Sequence, residues 1–192
     1  MELILASQSP RRRELLERVT TLFSVVVSGI EERRDPTWTV EELPRQLALQ
    51  KAMDVSKTHP SALVIGADTI VSLDGAVLGK PRDEADAAAM LRALSGRTHL
   101  VYTGVAFCRA GRECSSFVQR TEVDFYPLQE QQIQRYLATG EPFDKAGAYG
   151  IQEQGGLFVK SIRGDYFNVM GFPMARTARE LERLLGKDRQ EL

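Results

Sequence analysis

The chain has 192 residues, with 25 Lys or Arg against 26 Asp or Glu, so its formal net charge is −1, and 43% of it is apolar. A domain of this length buries roughly 70% of the surface of its unfolded chain, so it needs no disulfide or metal in order to fold. The balanced charge argues against a protein that coats a nucleic-acid polymer or an anionic membrane. It does not exclude a small charged pocket.

The sequence has only two cysteines and two histidines, so few residues are available for sulfur or imidazole chemistry. Cys108 and Cys114 flank an apparent turn without CxxC spacing, which argues against a disulfide scaffold or a thiolate zinc site. His59 and His99 lie far apart beside expected element ends, and we predict surface or structural positions for both and not roles as metal ligands or bases. The apolar start lacks the charge order of a secretory signal, and no apolar run reaches membrane-spanning length, so we expect a cytoplasmic protein.

Hydrophobic periodicity predicts the elements in chain order. The first half predicts strands at 3–6, 22–27, 63–65, 69–73 and 76–78, with Asp74-Gly75 as the hairpin turn between the last two. It predicts helices from Pro10 with Ser9 as its cap, over 41–57, and from Asp83 to Ser95-Gly96. The second half predicts a hairpin of 101–107 with 117–125, a helix over 128–137, a structured loop over 142–156, strands at 157–162 and 166–169, and a helix from Pro173 to about Leu185. This mixture indicates an α/β fold with a mixed sheet, one domain over 1–186 and a frayed tail over 187–192.

The segment Ala6-Ser7-Gln8-Ser9-Pro10-Arg11-Arg12-Arg13 carries the densest functional signal. A strand that feeds a helix N-terminus places backbone N–H groups and the positive end of the helix dipole together, and arginines add bidentate donors for phosphate. The alternative is a serine cap followed by solvated arginines. Because cations in a first helical turn oppose the dipole, their clustering there needs a compensating anion.

Three carboxylates follow two expected strand ends: Glu31 and Glu32 after 22–27, and Asp68 after 63–65. Such carboxylates could share a Mg²⁺, which binds one or two carboxylates together with waters and substrate phosphates. The alternatives are a solvated charged loop at 31–35 and an Asx turn at Asp68.

Two lysines and one loop add weaker signals. Lys80 follows Gly79, as the lysine of a P-loop follows a glycine, but the glycine spacing is one residue short and Pro81 stands where a P-loop has a hydroxyl residue. We therefore reject a P-loop and keep Lys80 as a single positive charge that could contact a phosphate. Lys51 lies on the expected helix 41–57, and a lysine on a helix usually indicates a solvent-exposed position. The loop 144–152 combines small residues with Gln152 and fits either a ligand contact or a structural turn.

Eight segments in order resemble the Maf family of nucleotide pyrophosphatases over about residues 3–185. They are LASQSPRR at 5–12, the acidic pair at 31–32, Lys51-Ala52, GADT at 66–69, GKP at 79–81, LSGRTH at 94–99, DKAGAYGIQ at 144–152 and GDYFNVMGFP at 164–173. Within the family, the chain resembles the branch that acts on dTTP and UTP. Two residues depart from the family pattern: Glu153 stands where glycine is common, and Phe172 where leucine is common.

The resemblance implies a mixed, elongated sheet flanked by helices, of the type shared with ITPases, and hydrolysis of a nucleoside triphosphate to the monophosphate and pyrophosphate. It also implies a divalent cation (Mg²⁺, Mn²⁺ or Co²⁺) as cofactor, and a homodimer as one assembly that the chain could form. Carried over by position, Asp68 matches the proton acceptor, and Arg12, Thr69 and Gln152 match positions associated with substrate choice. The lining of the nucleotide pocket is matched by Ser7, Arg11, Glu31, Lys51 and Lys80.

Chemistry joins these residues into one hypothesis. Arg12, Lys51 and Lys80 would stabilise charge on the departing pyrophosphate, Asp68 would activate water, and Glu31 with Glu32 would hold the cation. Two alternatives stay open at this point. One is a nucleotide-sensing or protein-binding regulator of cell division, because the family is linked to inhibition of septum formation; the other is the branch that acts on 7-methyl-GTP.

Overall fold

The structure is a computed structural model that describes residues 2–188. Its strands are β1 (Leu3–Ala6), β2 (Ser24–Val25), β3 (Leu63–Leu73), β4 (Ala76–Leu78), β5 (Thr98–Arg109), β6 (Arg112–Phe125) and β7 (Val159–Arg163). Its α-helices are α1 (Pro10–Glu17), α2 (Glu42–Thr58), α3 (Glu84–Leu94), α4 (Glu130–Leu137), α5 (Tyr166–Val169) and α6 (Met174–Asp188). Three short 3₁₀ helices occupy Glu141–Asp144, Ala146–Ala148 and Gln154–Phe158.

The strands form one mixed sheet in the order β2-β1-β3-β5-β6-β7, with β4 paired to β3. β1 pairs in parallel with both β2 and β3, whereas β4 and β7 pair antiparallel with β3 and β6. The α/β fold with a mixed sheet is therefore confirmed. The chain also clusters into two compact units: a first unit of residues up to 68, 103–119 and from 171 onward, and a second unit of Thr69–Tyr102 and Arg120–Met170.

Most local predictions are confirmed. Ser9 caps α1 and accepts a hydrogen bond from the Arg12 N–H, and Asp83 caps α3 by accepting one from the Asp86 N–H. The Asp74-Gly75 turn has two positive φ angles, 51° and 81°, which match the twist of the β3–β4 hairpin.

Two predictions about strands are wrong. Residues 63–65 and 69–73 form one continuous strand, β3, so Asp68 lies inside a strand and not after its end. Residues 166–169 form the single turn of α5, because the Asp165 side chain accepts a hydrogen bond from the Phe167 N–H and caps a helix there. The single domain over 1–186 stays a prediction, and the predicted tail lies outside the described residues from position 189 onward.

Each unit has its own apolar cluster. In the first unit, small residues dominate the contact of α2 with β3, where Ala48 and Ala52 pack beside Gly66. A Cβ at Gly66 would lie 2.2 Å from the Ala48 carbonyl oxygen, so only glycine allows this approach. In the second unit, α3 and α4 pack with aromatic residues of β6 and of the loop that follows α4.

Candidate active site

Lys51 is the centre of the site in the first unit. Its Nζ lies 2.6 Å from Asp68 Oδ1 and 2.9 Å from Glu32 Oε1. The side chains of Lys51 and Asp68 are only 18% and 15% exposed, which places the ammonium and one carboxylate in a partly dry environment. Lys51 is therefore not the solvated helix lysine that its sequence position suggests, and it brings Glu32 and Asp68 together.

The backbone explains how Lys51 reaches Asp68. Residues i and i+2 of a strand share one face, so Gly66 and Asp68 face the same side of β3. Gly66 lets α2 approach closely at Ala48 and Ala52, and Lys51 lies between those two positions on the helix. The glycine two residues before the carboxylate therefore lets the helix of Lys51 lie close to the strand of Asp68.

Arg12 ties three segments of the first unit together. Its Nε donates to the Gly171 carbonyl oxygen at 2.9 Å, and its Nη1 donates to the Ala67 carbonyl oxygen at 2.9 Å and to Ser7 Oγ at 3.3 Å. Burial lowers the pKa of Arg12, while the negative charge of Asp68 acts in the opposite direction. Arg12 thus holds the residue that precedes Asp68 and adds a positive charge next to it.

The helix terminus has the predicted serine cap, and the anion site at this terminus stays a prediction. The Ser9 hydroxyl accepts from the Arg12 N–H at 3.4 Å, so the serine cap itself satisfies a donor that a phosphate could have taken. The arginines of this turn are not simply solvated either, because Arg12 binds backbone carbonyls and Arg13 pairs with Glu17 at 2.9 Å. Ser7 is buried, and its Oγ also accepts from the Ser9 N–H at 3.2 Å.

The three predicted metal ligands do not form one cluster. Residues 2–188 contain no group of three or more His, Cys, Asp or Glu side chains that could hold a metal ion. Glu32 and Asp68 converge on Lys51, whereas Glu31 lines an open cavity of about 670 Å³ together with Arg33, Arg34 and Trp38. Although adjacent in sequence, Glu31 and Glu32 therefore have different surroundings, the cavity for Glu31 and the Lys51 ammonium for Glu32.

Thr69, Lys80 and Gln152 belong to the second unit. Thr69 is half-buried in β3 directly after Asp68, and Lys80 is exposed after β4. The Gly147 N–H donates to the Gly79 carbonyl oxygen at 3.0 Å, which joins the segment of Lys80 to the loop that carries Gln152. Gly147 has a φ of 71°, and a Cβ there would lie 3.0 Å from a Val71 methyl group, so this junction requires glycine.

The predicted histidine roles agree with the structure. His99 is 1% exposed, and its Nε2 lies 2.8 Å from the Tyr149 hydroxyl within an aromatic cluster. Burial lowers the pKa of His99 to about 4. His59 ends α2 as its C-terminal cap.

Comparison with known proteins places this arrangement in a family. The family model described as Maf-like protein matches residues 2–184. The chain belongs to the Maf-like family. The resemblance drawn from the eight segments is thereby confirmed.

Relatives within the family are similar over nearly their whole length. A Bacillus cytotoxicus protein named dTTP/UTP pyrophosphatase is 52% identical over 179 residues, which cover 93% of each chain. A Halalkalibacterium halodurans protein of the same name is 52% identical over 180 residues, 94% of each chain. Among solved structures, a HAM1 protein from Coxiella burnetii shares the fold with a TM-score of 0.54 at 16% identity, over 95% of this chain and 99% of that one.

Sequence reasoning missed three residues that hold the loop of Gln152. Tyr136, Glu141 and Lys145 bind the backbone and side chains on both sides of it. Lys145 was visible only as one polar residue in a small-residue loop, and a lysine followed by a run of small residues is the signal that could have marked it as buried. No helix in the described part of the chain is both long and apolar enough to cross a bilayer.

Proposed function

We propose that this Maf-like chain is a nucleoside triphosphate pyrophosphatase that hydrolyses dTTP and UTP to the nucleoside monophosphate and pyrophosphate. The observation that carries the proposal is the Lys51 ammonium held between Asp68 and Glu32, with Arg12 fixed beside it. The names of relatives about 50% identical over nearly the whole chain support the substrate and the bond.

The reaction needs a water molecule to attack the α phosphorus. Asp68 takes a proton from that water as the new oxygen–phosphorus bond forms, and Lys51 fixes the carboxylate that receives it. The bond from the α phosphorus to the bridging oxygen breaks, and its electron pair leaves with the pyrophosphate. Arg12 and Lys51 bring positive charge to the place where negative charge develops, which is where electrostatic stabilisation acts most strongly.

Glu32 and Asp68 fit a role as cation ligands. Two carboxylate oxygens already lie within hydrogen-bond distance of one ammonium, and a Mg²⁺ ion binds one or two carboxylates and completes its shell with waters and phosphate oxygens. When bound, a divalent cation would neutralise phosphate charge and orient the triphosphate. The Mg²⁺, Mn²⁺ or Co²⁺ requirement and the part of Glu31 are proposals of the same kind.

The remaining roles follow the family resemblance. Ser7 and Arg11 belong to the phosphate end, Lys80 supplies a further charge for phosphate, and Thr69 with Gln152 acts in substrate choice. Uracil and thymine present an N3–H donor between two carbonyl acceptors, and a carboxamide matches one donor and one acceptor of this edge. A cytoplasmic location and a homodimer complete the proposal.

A product assay tests the function. Purified protein is incubated with Mg²⁺ and each of dTTP, UTP, CTP, GTP and 7-methyl-GTP, and pyrophosphate and orthophosphate are measured separately. We expect pyrophosphate and monophosphate in equal amounts, fastest from dTTP and UTP. Orthophosphate as the first product would refute the proposed bond, absence of turnover would favour the nucleotide-sensing regulator of septum formation, and faster turnover of 7-methyl-GTP would favour that branch.

A further inference from the structure

The turn that carries Gln152 is held on both sides by one tyrosine and one glutamate. The Gly150 N–H donates to the Tyr136 hydroxyl oxygen at 3.1 Å. On the other side, the Gln154 and Gly155 N–H groups donate to the two carboxylate oxygens of Glu141, each at 3.2 Å. Backbone donors before and after Gln152 therefore end on side chains outside the turn, while Gln152 itself is exposed.

Lys145 is the third part of this arrangement. It is 7% exposed, and its Nζ donates to the Glu141 carbonyl oxygen and to Asp144 Oδ1, both at 2.8 Å. The same ammonium lies 3.2 Å from Glu153 Oε2. A buried ammonium is stable only when it is paired, so these partners are drawn to one point.

Tyr136 anchors this arrangement in the core of the second unit. Tyr136 is 3% exposed, packs edge-on against Phe158 at 5.0 Å between ring centroids, and donates its hydroxyl to Glu141 Oε1 at 2.9 Å. Burial raises the pKa of Tyr136, so the phenol keeps the proton that it donates. The Lys145 methylenes fill the space beside Gly150, where a Cβ would lie 2.6 Å from the lysine Cε.

This geometry also accounts for Glu153, the residue that departs from the glycine common in the family. Glu153 has a φ of −111°, which any residue adopts, and its carboxylate pairs with Lys145. Glutamate in place of glycine at this position therefore adds an ion pair next to Gln152 and requires no change in the shape of the loop.

We infer that Tyr136, Glu141 and Lys145 form a positioning clamp for Gln152, and that this clamp sets how well the chain discriminates uracil and thymine from cytosine. The inference rests on the proposed function. Cytosine presents an acceptor at N3 and an amino donor beside it, the reverse of uracil, and a carboxamide can turn to match either edge. Selection therefore requires one orientation of the amide, and we expect the held backbone to favour it by limiting the side-chain rotamers of Gln152, which depend on the backbone conformation.

The test combines kinetics with non-additivity. Lys145→Met and Glu141→Gln are made in the wild-type chain and in a Gln152→Ala chain, and kcat and KM are measured for UTP and CTP. In the wild-type background we expect the ratio of kcat/KM for UTP to kcat/KM for CTP to fall by roughly tenfold, mainly through changes in KM. The reason is that small displacements of a positioning group lower the rate by up to ~100-fold. In the Gln152→Ala background the same changes should leave the ratio unaltered, because residues that act through one another are not additive.

A second readout does not depend on turnover. Hydrogen exchange at the Gly150, Gln154 and Gly155 amides should accelerate in Lys145→Met and Glu141→Gln, while Lys160→Met, an exposed lysine of β7, should leave both exchange and selectivity unchanged. Glu153→Gln, whose side chain is 47% exposed, gives a milder variant that keeps the fold if Lys145→Met does not.

The outcomes separate the two proposals. Equal losses of kcat/KM for UTP and CTP would overturn the clamp and leave the proposed pyrophosphatase activity intact. The same fall of the UTP-to-CTP ratio in the wild-type and Gln152→Ala backgrounds would do so as well. If the wild-type chain releases no pyrophosphate, the proposed function fails, and the exchange rates alone decide whether the clamp holds the turn. Unchanged exchange in both clamp variants and in Glu153→Gln would also overturn it.

Discussion

The Lys51 ammonium has two carboxylate partners, and removal of any one of these three groups changes the charge that surrounds the other two. Without Lys51, Glu32 and Asp68 would remain as two like charges in a partly buried place with no shared cation between them. Without Asp68, the ammonium keeps Glu32 but loses its shorter contact. At the scale of the residue, the proposed catalysis and the charge balance thus depend on the same three groups.

Asp68→Asn tests the role of the carboxylate. We expect kcat for dTTP and UTP to fall by about 10²–10⁴-fold, because the amide cannot accept the proton of the attacking water. Pyrophosphate release measures the loss, and circular dichroism and thermal unfolding report the fold.

Asp74→Asn is the matched control for this change. Asp74 lies in the exposed β3–β4 turn, where asparagine tolerates the same positive φ of 51°. It should retain normal turnover. Full activity of Asp68→Asn would remove Asp68 from the mechanism.

At the scale of the element, the contact of α2 with β3 decides the site. Gly66 permits the approach, and Asp68 follows two residues later on the same face. The same segment shows where sequence patterns end. The run of apolar residues predicts a strand before Asp68 and another after it, but no pattern shows that a carboxylate continues the strand when a lysine from a neighbouring helix pairs with it.

Gly66→Ala should disturb both stability and activity. The added Cβ would lie 2.2 Å from the Ala48 carbonyl oxygen, so α2 must shift, and such overpacking costs about 1–3 kcal/mol. Because Lys51 moves with α2, kcat should fall as well. Urea unfolding and pyrophosphate release measure the two effects.

Gly29→Ala provides the comparison, since a Cβ at Gly29 meets nothing within 4 Å. Its free energy of unfolding should stay within about 0.5 kcal/mol of the wild-type value. If Gly66→Ala matched it in stability and turnover, the close approach of α2 would not be what sets the ion pair.

How far the sequence predicts this molecule depends on the range of the interactions. Ser9, Asp83 and the Asp74-Gly75 turn were predictable because caps and turns depend on residues a few positions apart. The partners of Lys51 were not, because the fold brings Glu32 and Asp68 to it from distant positions in the sequence. The partners of Lys145 are close in the sequence, but no pattern showed that Lys145 is buried among them. The candidate residues could be named from family segments, but their pairing could not.

At the scale of the whole molecule, each of the two units has its own buried polar feature. In the second unit, His99 is buried against Tyr149 and Phe125. The neutral imidazole is favoured there because burial penalises its charged form. This histidine should therefore make its own contribution to the pH dependence of global stability.

The sign follows from a folded-state pKa of about 4 against an ordinary value of 6.5. The unfolded chain binds the proton first as pH falls, so stability is present above pH 6.5 and is lost as pH falls toward 4. Between pH 7 and pH 4 the loss from His99 should be about 3 kcal/mol.

Urea unfolding at several pH values, compared between the wild type and His99→Gln, isolates this contribution from the carboxylates. The glutamine can still bond with the Tyr149 hydroxyl but does not titrate. The wild-type curve should fall more steeply on the acid side. Parallel curves for the two proteins would show that His99 does not titrate in the unfolding reaction.

The most direct test of the account traces the oxygen atom of the attacking water. UTP is hydrolysed in ¹⁸O-labelled water, and the products are separated and analysed by mass spectrometry. Attack at the α phosphorus beside Asp68 predicts one ¹⁸O atom in UMP and none in the pyrophosphate. Label in the pyrophosphate, or in orthophosphate, would contradict it.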